Sequence, residues 1–209
     1  MRRRYPLILV AIAALLSVVV YSRLPERVAV HWDLHGNPNG WMPRAAGAFF
    51  APVFMFVLWQ FMRVVPRLDP RADGTPGASG AYEAIVAATL LVLLVVHVVV
   101  LAIALGYDVP VARLAPALVG ALLVVIGVVL PRTQPNRWIG VRTPWALSSA
   151  DVWARTHRFA GRCLTVAGVA SIVAAALLPP VLTLSVLVAA IVAATLAPVL
   201  YSWLTSRRR

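Results

Sequence analysis

Lysine is absent from this chain, cysteine is nearly absent and acidic residues are scarce. Cys163 is the only cysteine among 209 residues, which excludes an internal disulfide. There are 7 acidic residues against 19 basic ones, all Arg, and yet charged residues make up only 12% of the chain. A soluble domain carries about twice that share. No phosphate-binding Gly/Lys loop, no Gly-rich dinucleotide fingerprint and no zinc-type Cys/His spacing occurs, which removes the motif-borne nucleotide and structural-zinc classes.

What the sequence has instead is apolar length. Hydrophobic residues make up 61% of it and the mean hydropathy is +0.86. Charge-free runs cover residues 5–22, 45–62, 84–107, 114–131 and 163–206. About 20 apolar residues cross the ~30 Å hydrocarbon layer as a helix, so the first four runs each fit one crossing. The last run holds Pro179-Pro180 near its middle and reads as two crossings joined by a turn. The expectation is an all-α integral membrane protein with six transmembrane helices. Val20-Tyr21-Ser22 offers no small-x-small cleavage site, so the first run reads as a retained helix and not a secretory leader.

The net charge of +12 is a topology signal more than a nucleic-acid signal. Arg2, Arg3, Arg4, Arg63, Arg67, Arg71, Arg132, Arg137, Arg142, Arg155, Arg158, Arg162, Arg207, Arg208 and Arg209 fall in alternate connectors and at the ends. The intervening connectors hold only Arg23, Arg27, Arg44 and Arg113. This positive-inside alternation predicts both termini in the cytoplasm, attraction to anionic lipids and no direct nucleic-acid binding.

The first external connector, residues 23–44, alternates Val28, Val30 and Trp32 with Ala29, His31 and Asp33, a period suited to a short strand. Asn37-Pro38 and Asn39-Gly40 are turn signals, and the expected product is a small ordered extracellular cap with Trp32 and Trp41 at the membrane interface. His31, Asp33 and His35 share strand parity. They make either a weak metal tripod or three locally bonded side chains.

Residues 67–82 have linker composition and divide the chain into an N-terminal two-helix unit, 1–66, and a C-terminal four-helix unit, 83–209. His97, mid-membrane in the third helix, is either a proton or ligand contact or a neutral residue bonded to a neighbouring helix. Ala167, Ser171, Ala175, Ala189 and Ala193 form a small-residue packing stripe in the last two helices.

The connector after the fourth helix is held extended by Pro131, Pro135 and Pro144. Ser148 and Asp151 form a capping pattern that predicts a helix from about Ser149. Asp151, Arg155, Arg158 and Arg162 then make one stripe, and Val152, Thr156, Phe159 and Cys163 another. That is an amphipathic interfacial helix leading into the fifth crossing. Amphipathicity does not account for Gly140-Val141-Arg142-Thr143-Pro144-Trp145, which lies ahead of it.

That stretch resembles the signature of the SdpI family, membrane immunity proteins against a secreted sporulation-delaying peptide toxin. Asn136, Trp138, Gly140, Arg142, Thr143, Pro144, Trp145, Ser148, Val152, Trp153, His157 and Gly161 fall on the pattern, with Val141 where Ile is usual. Leu24, Pro25, His31, Gly36, Gly40 and Trp41 resemble the family's companion N-terminal domain, although Asn39 stands in place of a common Asp and His35 is unusual. The resemblance implies a bacterial cell-membrane protein without catalytic residues or cofactor. The cap would meet a peptide toxin, and the cytoplasmic connector would recruit a transcriptional repressor. Arg142 and Trp145 are then either contact residues or fasteners of their own loop. Two alternatives compete. A membrane enzyme would draw on Ser148, Asp151 and His157 or on a metal in the cap, and a small transporter has only His97 to offer.

Overall fold

The computed structural model describes residues 4–64, 80–136 and 138–207. Arg2, Arg3, Arg67, Arg71, Arg137, Arg208 and Arg209, and most of the 67–82 linker, lie outside the described residues. Six helices are long and apolar enough to cross a membrane, as the charge-free runs predict. They are α1 (Tyr5–Val20), α2 (Arg44–Val64), α3 (Gly80–Ala104), α4 (Val111–Val129), α6 (Ala150–Leu177) and α7 (Pro180–Ser206), with the five-residue helix α5 (Pro144–Ser148) in the last long connector. The start of α3 at Gly80 takes the last residues of the expected linker into the helix.

The cap is a two-stranded antiparallel hairpin of β1 (Arg27–Trp32) and β2 (Pro38–Pro43). Its turn is not at Asn39-Gly40, which lie inside β2. It runs through residues 33–37, because Asp33 Oδ1 accepts the backbone N–H groups of His35 and Asn37 (2.9 Å each) and Gly36 takes φ +88°. Irregular pairing brackets His31, which faces Gly40, where a Cβ would stand 2.9 Å from the His31 Cβ. Val28 seats the hairpin. It is fully buried with Leu24, Ala48 and Leu101, against the start of α2 and the end of α3.

Helices α1, α2 and α3 share a core of Ala13, Met55, Trp59, Val86, Leu90 and Leu94. Helices α4 and α6 approach backbone to backbone at two glycine pairs. A Cβ on Gly168 would stand 2.4 Å from Gly120 O, and one on Gly161 2.6 Å from Gly127 O. The glycines are seven residues apart on both helices, and close approach of this kind is how helices gain contact in lipid. Ala167, Ser171 and Ala175 are buried as expected, but Ala189 and Ala193 are exposed. The inward stripe of α7 is Thr183, Leu187, Ala194, Pro198 and Ser202, spaced to follow the 3.6-residue period on another face of the helix.

The amphipathic segment and the fifth crossing are one continuous helix of 28 residues. At ~1.5 Å per residue it is about 42 Å long, some 12 Å more than the hydrocarbon layer needs. The surplus is the Arg-bearing N-terminal turns. Ser149 caps this helix through Val152 N–H (3.4 Å), while Ser148 Oγ donates to Trp145 O (3.0 Å) in α5. The capping residue is thus one position later than the sequence pattern places it. Asp151 and Arg155 form the expected i,i+4 ion pair, at 3.0 Å.

Candidate functional site

Three polar centres bear on function: the connector, the hairpin and His97. In the connector, Asn136 starts the fold. Its Oδ1 accepts the N–H groups of Trp138 (2.8 Å) and Ile139 (2.7 Å), forming a tight side-chain-capped turn. Ile139 packs onto Ala81 and Ile85 of α3 and Val129 of α4. The next residue, Gly140, has φ +104°, and a Cβ there would stand 2.0 Å from His157 Nε2. Glycine is required twice at this position, for the dihedral and for the space.

His157 is fully buried and stacks on Trp153, with ring centroids 3.8 Å apart. Val141 N–H donates to Nε2 (3.2 Å), so Nε2 is the acceptor and Nδ1–H donates to Trp153 O (2.9 Å). This fixes a neutral tautomer with both ring nitrogens satisfied. Trp153 Nε1 donates to Thr133 O (2.9 Å), tying α6 to the end of α4. Thr143 caps α5 through Ala146 N–H (3.3 Å), and Pro144 opens that helix, where its missing N–H costs nothing. Thr143 Oγ1 also meets Ser202 Oγ (3.2 Å), and Trp145 Nε1 donates to the same oxygen (2.7 Å).

The motif therefore divides. Asn136, Gly140, Thr143, Pro144, Trp145, Trp153, His157 and Gly161 build and fasten the connector, Gly161 through the crossing with Gly127. Arg142 and Trp138 are exposed at its surface, Trp138 by 38%. Of the two readings of Trp145, the geometry gives the fastener. Ser148, Asp151 and His157 bond to different partners: Trp145 O, Arg155 and the Val141/Trp153 backbone.

In the hairpin, Pro25 O accepts Arg44 Nε (3.3 Å), Gly36 makes the turn, Gly40 faces His31, and Trp32 and Trp41 are at least partly exposed. His31 Nδ1 pairs with the Asn39 side-chain amide. Asp33 is spent on the turn, and the backbone N–H of Asn37, then its side chain and the N–H of His35, hold its carboxyl below the usual carboxylate range. The strand ends at Trp32, so the strand alternation that would align His31, Asp33 and His35 stops before Asp33. Among the described residues no three His, Cys, Asp or Glu side chains are grouped to hold a metal.

His97 Nε2 lies 2.9 Å from Ser17 Oγ and 3.2 Å from Ala13 O. The nearby carbonyl requires the proton on Nε2. Ser17 in turn donates to Ala48 O (2.5 Å), the carbonyl that Pro52, lacking an N–H, leaves unpartnered in α2. The histidine thus joins α1, α2 and α3 around a proline defect, which is the neighbouring-helix reading. Its Nδ1 has no partner among the described residues. Sequence reasoning missed Ser17, Ser202 and Thr133. Pro52 was the available signal for Ser17, since a helix-interior proline in a membrane demands a donor for the carbonyl it frees.

Residues 132–202 match the model of the SdpI/YfhL protein family, and residues 8–56 match a domain of unknown function, DUF1648. The Immunity protein SdpI of Bacillus subtilis (strain 168) is 28% identical over 164 residues, covering 78% of this chain and 75% of that protein. No solved structure matches. The two matched segments contain the two motif-bearing regions, hairpin and connector: the chain is a multi-pass cell-membrane protein that is similar to the SdpI/YfhL family over residues 132–202 and to DUF1648 over residues 8–56.

Proposed function

We propose that this protein protects a bacterial membrane against a secreted, membrane-active peptide toxin, and that it relays toxin binding to a cytoplasmic transcriptional repressor. The hairpin faces outside and meets the peptide. The connector faces the cytoplasm and offers Arg142 and Trp138 to the repressor. The relative named Immunity protein SdpI supports the protective role, and the alternating Arg count supports the orientation.

The observation that carries the relay is the reach of α3. Its Leu101 end is packed with Leu24 and Val28 of the hairpin region, and its Ala81–Ile85 end is packed with Ile139 of the connector. A shift of the hairpin against α3 therefore has a packed route to the connector. The role is one of binding. An exposed Arg and an indole on a frame held by hydrogen bonds between distant parts of the chain suit a recognition surface, the planar guanidinium matching a carboxylate.

Expression in peptide-sensitive bacteria, with survival measured across a panel of membrane-active peptides, tests the reading. Survival above the empty-vector control for one peptide class is expected. No protection against any would overturn it. With Cys163 replaced by Ala, Asn37→Cys should react with an impermeant thiol reagent on intact cells and Ser148→Cys only after permeabilisation. The reverse pattern would invert the assigned roles.

A further inference from the structure

Beside the connector lies a groove that immunity and relay leave unused. Because Gly127 and Gly161 meet without side chains between them, a space of about 360 Å³ opens along the crossing of α4 and α6. Val128, Pro131 and Val166 wall it, and Arg158 and Arg162 stand at its edge. Thr165 also lines it, but its hydroxyl is spent on Gly161 O (2.9 Å). The rest of the surface is apolar and open, with Val128 and Val166 exposed by 52% and 68%.

Depth and charge identify the occupant. Counting ~30 Å of helix, about 20 residues, back from Leu177 ends near Arg158, so the two guanidiniums stand at the boundary between hydrocarbon and headgroups. Arg158 and Arg162 are both exposed and one helical turn apart. Among the described residues the ion pair of this basic face is Asp151–Arg155, which leaves Arg158 and Arg162 without a carboxylate. A greasy groove running into the membrane under two unmatched guanidiniums complements a molecule with an anionic head and an alkyl tail.

We propose that this groove binds an anionic phospholipid, with its phosphate on Arg158 and Arg162 and one acyl chain along the glycine crossing between Val128 and Val166. Guanidinium forks suit phosphate oxygens, and basic pockets between transmembrane helices on the cytoplasmic side are a known way of holding such headgroups. The lipid would brace α6 immediately below the His157–Trp153 pair that positions the connector.

The test is native mass spectrometry of the full-length protein in neutral detergent with added phosphatidylglycerol or phosphatidylcholine. The unmodified protein should retain phosphatidylglycerol at least tenfold over phosphatidylcholine. The double variant Arg158→Ala/Arg162→Ala should lower retention about thirtyfold, or ~2 kcal/mol at about 1 kcal/mol per basic residue. Val166→Trp, which fills the groove from its lipid-facing wall and keeps both charges, should lower it as well. Val128→Trp does the same from the opposite wall should Val166→Trp unfold. Arg63→Ala, removing a charge engaged with Gln60 and the Trp59 ring, should leave retention unchanged.

Equal retention by the Arg pair variant or by the folded groove-filling variant would overturn the proposal. So would an equal loss in Arg63→Ala, which would mark diffuse attraction. Displacement of the lipid by millimolar inorganic phosphate would mark a free-anion site instead. Conversion of a dimer to a monomer by Val166→Trp, without change in lipid, would assign the groove to a second copy of the chain.

Discussion

The hairpin and the connector each carry one family motif, and they are held in opposite ways. In the hairpin, Asp33 bonds to His35 and Asn37, two and four residues away, and Gly40 sits across the ladder from His31. In the connector, Val141 bonds to a histidine 16 residues away, Trp153 to a carbonyl 20 away and Trp145 to a serine 57 away. The hairpin is a local fold set on the bundle, whereas the connector is part of the bundle. Damage to the hairpin should therefore stay local, while damage to the connector should loosen α6 and α7 with it.

The largest expected contrast comes from the same substitution in each region. Gly140→Ala adds a methyl group to a left-handed backbone position and drives it into the His157 ring. It should cost about 3 kcal/mol or more and sharply reduce membrane abundance. Gly40→Ala meets the His31 Cβ at 2.9 Å, which a local shift of the paired strands must relieve, and with no left-handed dihedral forced it should cost ~2 kcal/mol, within the range for added bulk. Thermal unfolding in detergent measures both, and equal losses would erase the distinction between local and integrated motifs.

Next in size is Ser202→Ala, which removes the partner of both Thr143 and Trp145. A loss of about 1–3 kcal/mol is expected, because the part-buried indole N–H is left without its acceptor. Trp145→Ala removes the same bond, so the double variant should lose less than the sum of the two. Strict additivity would show that the bond does not hold α5 to α7.

The smallest effect belongs to the hairpin turn. Asp33 is held below its ordinary pKa by hydrogen bonds to its charged form. Its contribution is complete above the usual carboxylate range and is lost as pH falls through the depressed folded value. Hydrogen exchange at the Asn37 amide should accelerate on that acid limb, while exchange at Trp153 in the connector stays slow. Acceleration at both sites together would mean that the two regions open as one.

The same contrast explains what was legible in the sequence. Six helices long and apolar enough to cross a membrane and the Asp151–Arg155 pair follow from local patterns of hydropathy and spacing, and all appear in the structure. The hairpin was half legible. Alternation marked β1, but Asn39-Gly40 outweighed the less conspicuous Asp33 as a turn signal, and the turn formed where a carboxylate could satisfy two backbone N–H groups. The frame of the connector was not legible, because nothing in a sequence says that Trp145 will find Ser202 or that Gly140 makes room for His157. The continuity of α6 was obscured for a related reason. Its polar start and apolar end differ in composition but share one buried face, from Val152 through Ala175. The inward stripe of α7 was misplaced by face: Ala189 and Ala193 lie outside, and the helical period puts Leu187 and Ala194 inward.

The central claim is that the connector is a rigid frame whose exposed Arg142 carries the proposed intracellular output. The most direct measurement compares the unmodified protein, Arg142→Ala and Arg142→Lys for membrane abundance, survival under peptide challenge and induction of a reporter on the protein's own promoter. The account predicts normal abundance for all three. Induction should be lost in Arg142→Ala and nearly lost in Arg142→Lys, because an ammonium cannot reproduce the planar fork. Full induction by Arg142→Ala at normal abundance, or loss of the protein from the membrane, would contradict it.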